Sequence, residues 1–300
     1  MENTHVHHSV LLQEVINGLG LPSGSTYFDG TLGGGGHSEA ICRHLNGAVR
    51  LLGIDADSEA VLRARERITK AGCTGIFGTH NFRESDQFLT NQGIGKEVDG
   101  ALLDIGLSSF QLDSDGRGFS FRKEEPLIMS FSREKGALFA EEVVNDWGES
   151  ELTTIIRGYG EEQFAGRIVR EIAEARKKKR ITSTKELADI IYHAVPLWYR
   201  RKRVHPATKT FQAIRIAVND ELSALEEGIE GIRIHLAPSG RLAVITFHSL
   251  EDRIIKRAFR QWEADGFGSV LTKKPTTPFP EEIEQNPRAR SAKLRIIEKL

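Results

Sequence analysis

The sequence predicts an α/β fold: a parallel sheet with a helical domain inserted into it. Three observations carry this. Apolar runs that read as buried strands alternate with amphipathic runs of helical spacing up to Asp104, and again after about residue 205. Three of the strand-like runs end in an acid, Asp29, Asp55 and Asp104. Between the two α/β stretches, residues 108–205 hold several amphipathic helical segments and no convincing buried strand. Right-handed crossovers would place the three acids along one rim of the sheet, where ligands of such sheets bind.

The first helix follows from Val10, Leu12, Val15, Ile16 and Leu19, which share a face, and Gly20 with Pro22 ends it. Tyr27 and Phe28 close the first strand, with Asp29 at its tip. Gly30 and the four glycines 33–36 come next, before a short helix over 38–45. Glycine loses the most conformational entropy on folding, so a run between strand and helix needs a cause. A ligand drawn close to the backbone at a helix N-terminus supplies one. A second strand spans 50–55. Residues 58–71 form an amphipathic helix with Val61, Ala64 and Ile68 on one face. A weaker strand at 75–80 and a strong one at Val98–Asp104 complete this half.

Within the insertion, Phe164, Ile168 and Ile172 make an apolar stripe while Arg167, Arg170 and Lys177 lie on another face. Basic runs follow at 176–180 (RKKKR) and 199–203 (YRRKR). From Phe211 to Leu236 apolar residues step by three or four, which predicts one long helix. A fifth strand at 241–247, a helix at 250–262 and two edge strands at 269–273 and 293–298 finish the chain. The expected domains are residues 1–107 with 206–300, and the insertion 108–205.

Composition narrows the function classes. Hydrophobic content of 39% and charged content of 28% are those of a globular protein. No apolar run approaches the ~18 residues of a membrane span, and the start lacks the pattern of a signal peptide. Cys42 and Cys73 are too few for a disulfide scaffold or a cysteine-based metal site, so a reducing cytoplasm is the expected compartment. His5, His7 and His8 have no acidic or cysteine partner nearby, and no metal site is expected. The net charge of −1 hides a polarity. Residues 1–104 hold 8 Lys/Arg against 13 Asp/Glu (−5), whereas residues 160–205 hold 12 against 6 (+6). Such a basic region suits a polyanion that touches part of the molecule.

A glycine loop after the first strand, with an acid some twenty residues on, fits either a nicotinamide dinucleotide or S-adenosylmethionine, and Asp55 would accept the ribose hydroxyls of each. Gly33 and Gly35 match the first pair of a G-x-G-x-x-G fingerprint, but Ser38 occupies the third position. Asp29 would repel a pyrophosphate and attract a sulfonium or ammonium. The loop therefore favours the methyl donor.

Eight blocks, in order, go beyond this: HHSVLLQEV, YFDGTLGGGGHS, GIDAD, DGALLDIGLSSFQLD with RGFSF, YGEEQFAGRIVREI, HPATKTFQAIRIAVNDEL, GRLAVITFHSLEDRIIKRAF and NPRARSAKLR. In these the chain resembles the RsmH (MraW) family of 16S ribosomal RNA cytosine-N4 methyltransferases along essentially its full length. The resemblance implies a Rossmann-like methyltransferase domain, S-adenosyl-L-methionine as cofactor, and a cytidine of the decoding centre (1402 in conventional numbering) as substrate. It carries cofactor contacts onto Gly35, Gly36, His37, Asp55, Phe82, Asp104 and Gln111. Asp104, or a backbone carbonyl in 106–109, is the candidate acceptor for the amine. Phe110, Phe247 or His248 would stack on the cytosine. Arg176, Lys177, Arg201 and Arg203 would meet phosphates of 16S rRNA or the small subunit.

The chain departs from the family's pattern at Phe110, where proline is usual, at Lys209, where arginine is common, and at 126–132. There PLIMSFS lacks two acids and an arginine that often stand in this segment. An RNA-binding or ribosome-assembly factor with lost turnover is therefore the alternative reading, and a nicotinamide oxidoreductase the third. The sequence leaves open monomer or homodimer.

Overall fold

The structure, a computed structural model, describes residues 9–106, 116–132 and 136–300. It divides into two compact units. One comprises the residues up to Gly106 and from Leu222 onward, and the other the stretch between them, ending at Glu221.

The first unit contains a seven-stranded sheet. In chain order it runs α1 Leu12–Leu19, β1 Ser25–Asp29, α2 Gly36–His44, β2 Val49–Asp55, α3 Ser58–Lys70, β3 Gly75–Thr79, α4 Ser85–Asn91 and β4 Val98–Asp104. Strands β1 to β4 and β5 (Leu236–Thr246) are parallel, β6 (Gly268–Val270) and β7 (Lys293–Lys299) antiparallel, in the order β3-β2-β1-β4-β5-β7-β6. The direction of winding reverses between β1 and β4, which is where a sheet of this kind opens a crevice for ligands. Neighbouring residues on each strand enter opposite cores: Tyr27, Leu51, Leu102 and Ile245 on one face, Phe28, Leu52, Leu103 and Val244 on the other. Burial on both faces explains why these strands read as continuous apolar runs rather than alternating ones. β7 lies inside the sheet, paired with β5, so only β6 of the two expected edge strands is an edge.

A disulfide joins Cys42 on α2 to Cys73 after α3, both almost wholly buried. Two cysteines are too few for a scaffold, yet these two pair, which the reading of a reducing compartment did not anticipate: separated by 31 positions in sequence, they converge because α2 and α3 pack side by side.

The second unit is helical: α5 Ala140–Asp146, α6 Glu149–Gly158, α7 Ala165–Lys178, α8 Thr184–Ala194, the short α9 Leu197–Arg200 and α10 Ala207–Asn219. It has its own apolar core, from Phe119 to Ile214. The predicted single helix after Phe211 is two helices, α10 and α11 (Glu221–His235). The break is at Asp220, whose φ of 47° is left-handed. Apolar spacing stays in phase across one such residue, which is why periodicity alone missed it. The unit boundary accordingly falls after Glu221, not after residue 205.

Segment 126–132 lacks the expected charges yet is well held. Leu127 and Met129 are 1% exposed. Arg117 donates to the carbonyls of Ser130 and Phe131, and the Asn219 side chain accepts from Phe131 N and donates to Met129 O. Apolar burial and side-chain hydrogen bonds to its backbone thus hold the segment without those charges. Gly118 closes this turn at φ 73°, where a Cβ would sit 2.2 Å from the carbonyl oxygen of Pro126. Gly118→Ala should therefore destabilise the helical unit by roughly 1–3 kcal/mol, read as a lower urea midpoint at unchanged slope. An unchanged midpoint contradicts the assigned packing.

Candidate active site

The acids at the ends of β1, β2 and β4 have three different surroundings. Asp29 is 1% exposed. Its carboxylate accepts from Ser38 Oγ at 2.6 Å and from Thr31 N at 3.2 Å. Burial raises its pKa above the usual carboxylate range. It therefore lies behind the glycine loop as the loop's anchor, and does not face a ligand as the charge argument supposed.

Asp55 ties the loop to the next strand. One oxygen accepts from Gly33 N at 2.8 Å and the other from Asp57 N at 2.9 Å. A carboxylate has about four lone-pair positions, so two remain for ribose hydroxyls. Burial raises this acid's pKa too.

Asp104 is the least satisfied of the three. Its backbone N–H donates to Thr31 Oγ1 at 2.6 Å, which fixes the strand end against the loop. Its Oδ1 is buried and has no hydrogen-bond partner among the described residues. Burial, with the nearby charge of Glu251, pushes its pKa up to about 7. An orphaned buried oxygen at the sheet's switch point fits a polar or cationic ligand, since leaving it unpaired costs ~1–3 kcal/mol. Glu251 sits at the start of α12 (Ser249–Ala264), where its Oε2 accepts from Phe247 N and His248 N.

Among the residues expected at the cofactor, Gly35 and Gly36 have packing reasons of their own. Gly35 starts α2 at φ 75°, where a Cβ would lie 3.0 Å from Ala64 Cα. A Cβ on Gly36 would collide with Ser9 Oγ. Part of the glycine run thus serves close approach of α2 to α3, while Gly33 and Gly34 border open space. His37 is buried, and burial lowers its pKa. Its Nε2 donates to Val10 O at 2.9 Å, leaving a neutral Nδ1 3.8 Å from Asp104 Oδ2, too far for a hydrogen bond. Phe82 follows Asn81, whose capping box with Glu84 sets the turn. Its half-buried ring packs against Gly228 of α11. Gln111 and Phe110 lie outside the described residues.

His248 corrects an expectation. It caps α12, its side chain is only 11% exposed, and Nε2 lies 2.9 Å from Glu251 Oε1. It offers no open stacking face. Phe247 packs on Gly106, where a Cβ would meet the ring at 2.7 Å. Thr31, Ser38 and Glu251 were missed. The first two stand inside the glycine motif, where hydroxyls beside acids are the available signal. Glu251 completes a capping box, but with histidine rather than serine or threonine at its head.

In the helical unit, Arg176 donates to the carbonyls of Val144 and Trp147, which turns it towards holding α7 on α5 and away from phosphates. Lys177 is exposed and paired with Glu174. Arg201 and Arg203 are exposed, and among the described residues neither has a carboxylate partner.

The raised acids have a consequence for stability. Asp29 and Asp104 titrate higher in the folded chain than in the unfolded one, so the folded state holds more protons between the ordinary carboxylate range and about pH 7. Their contribution to stability therefore grows as pH falls through that window. Asp104→Asn, neutral at every pH, should melt above the ligand-free wild type at pH 8, and that advantage should shrink substantially by pH 5. Thermal scans at the two pH values check this; a constant difference contradicts it.

Residues 4–300 match the model of the MraW methylase family. The chain is 46% identical to ribosomal RNA small subunit methyltransferase H of Sulfurihydrogenibium sp. over 97% of this chain and 98% of that protein. It is 46% identical to the protein of that name from Carboxydothermus hydrogenoformans over 100% and 99% of the two chains. Among solved structures, TrmN from Thermus thermophilus aligns with a TM-score of 0.46 at 12% identity over 97% of this chain and 48% of that one, too distant to add to the fold.

Proposed function

The chain belongs to the MraW methylase family, and from that premise we propose that it methylates 16S ribosomal RNA of the small subunit at N4 of a cytidine. The observation that carries this reading is the family match over residues 4–300, which spans both units, together with relatives that are rRNA small subunit methyltransferases. The methyl donor is S-adenosylmethionine, which supplies a methyl group on a sulfonium, ready for attack by an amine.

The chain's own residues have four tasks. The loop pinned by Asp29 and Ser38 presents Gly33 and Gly34, while Asp55 accepts the ribose hydroxyls. Phe82 flanks the adenine. Asp104 receives the proton that N4 loses when its new N–C bond forms. The cytosine amine is a weak nucleophile because its lone pair is delocalised into the ring, so alignment supplies much of the rate, ~7–11 kcal/mol in favourable cases. A carboxylate with pKa near the working pH is suited to the proton transfer.

The firm burial of Leu127 and Met129 favours an active enzyme over an assembly factor with lost turnover. Incubation with tritiated S-adenosylmethionine and small-subunit rRNA decides between them. Label in the rRNA is expected; tight RNA binding without label would sink the catalytic reading. In cells the protein is expected in the cytoplasm, and among the described residues no helix is long and apolar enough to cross a membrane.

A further inference from the structure

On the helical unit, α9 displays an indole where a core residue would be expected. Trp198 is 57% exposed, with Leu197 next to it at 67% and Val204, six residues on, at 59%. Its mounting is rigid. The adjacent Tyr199 is buried, and its hydroxyl donates to the buried carboxylate of Glu162 at 2.6 Å. Phe164 meets both rings edge-on, 5.0 Å from Tyr199 and 5.8 Å from Trp198. Arg200 donates to the carbonyls of Val195 and His193 and lies 4.9 Å over the Tyr192 ring.

The residues that follow are Arg201, Lys202 and Arg203, all exposed, with no acid between Pro196 and His205. The Lys202 ammonium is 5.2 Å from the Trp198 ring. An apolar protein partner would not call for an uninterrupted run of cations. A polyanion alone would not call for an exposed indole held in place. Single-stranded RNA calls for both, because its phosphates seek cations and its unpaired bases offer π-faces. A duplex presents the phosphates but hides those faces.

We propose that Trp198 is a stacking platform for an unpaired base of the RNA, with Arg201, Lys202 and Arg203 holding the flanking phosphates. This deepens, and rests on, the reading of RNA as the substrate. The platform is preorganised, so little side-chain entropy is lost when a base docks.

The test measures anisotropy of a fluorescein-labelled single-stranded RNA oligonucleotide, and of the same strand annealed to its complement, at one salt concentration. Trp198→Ala should weaken single-strand binding by about 10-fold while duplex binding changes little, and Trp198→Phe should recover most of the loss. An unchanged helical circular dichroism signal and melting curve verify that the helical unit of the variant is folded. Equal loss on both probes, or none on either, overturns the proposal. So does a dimer in sedimentation that Trp198→Ala converts to monomer without changing RNA affinity, which would make the patch a self-association surface. Methyl transfer to rRNA by the wild type is measured separately. Its absence would remove the rRNA reading while the oligonucleotide arm still reports on Trp198, whereas transfer with unaltered oligonucleotide binding by Trp198→Ala removes only the platform.

Discussion

Asp104→Asn is expected to lower the rate of methyl transfer by about 10²- to 10⁴-fold, the range over which a positioned general base contributes. The substitution keeps the shape of the side chain, and the hydrogen bond from residue 104 N to Thr31 Oγ1 involves the backbone, so the fold should survive. The pH profile provides the sharper reading. A base must be deprotonated to act, and burial beside Glu251 places the Asp104 pKa at about 7 in the free protein. Wild-type kcat/KM should therefore rise with pH through about 7 and level off above it, and the asparagine variant should lose this limb. An unchanged limb in the variant would assign the titration to another group. Full activity in the variant would assign the proton to a backbone carbonyl or to solvent.

Asp55→Ala is expected to weaken S-adenosylhomocysteine binding by about 10- to 100-fold, the equivalent of a charge-assisted hydrogen bond lost. Part of any loss will come from the loop, because Gly33 N and Asp57 N also lose their acceptor. Asp55→Asn separates the two contributions, since its carbonyl can still accept from Gly33 N but carries no charge. Calorimetry on both variants is the measurement. If alanine and asparagine bind as wild type does, Asp55 serves the loop alone.

Much of the fold was legible because parallel strands buried on both faces announce themselves as apolar runs, and because Asp29, Asp55 and Asp104 mark where each run ends. What escaped depended on contacts remote in sequence. The break at Asp220 leaves the apolar spacing in phase. Cys42 and Cys73 meet only because α2 and α3 pack together. The missing charges of 126–132 put turnover in doubt and left open how the segment is ordered; Arg117 and Asn219 hold its backbone from outside the segment.

The candidate site divides in the same way. Residue type and order were enough to place Asp29, Asp55 and Asp104 at strand ends. They were not enough to tell a ligand-facing acid from a loop anchor, and Asp29 proved to be the anchor. Nor could they show that the absence of a Cβ at Gly35 also admits the close approach of Ala64. His248 looked available as a ring and is occupied as a cap. Arg176 looked available as a charge and is bonded to carbonyls of its own unit.

The most direct test is mass-spectrometric mapping of methylated cytidine in small-subunit rRNA treated with the wild-type protein and with Asp104→Asn. A single cytidine carrying a methyl group on N4 after wild-type treatment, and nearly absent with the variant, is the result expected. Methylation on a ring carbon or a ribose hydroxyl, or no new methylation with the wild type, would contradict it.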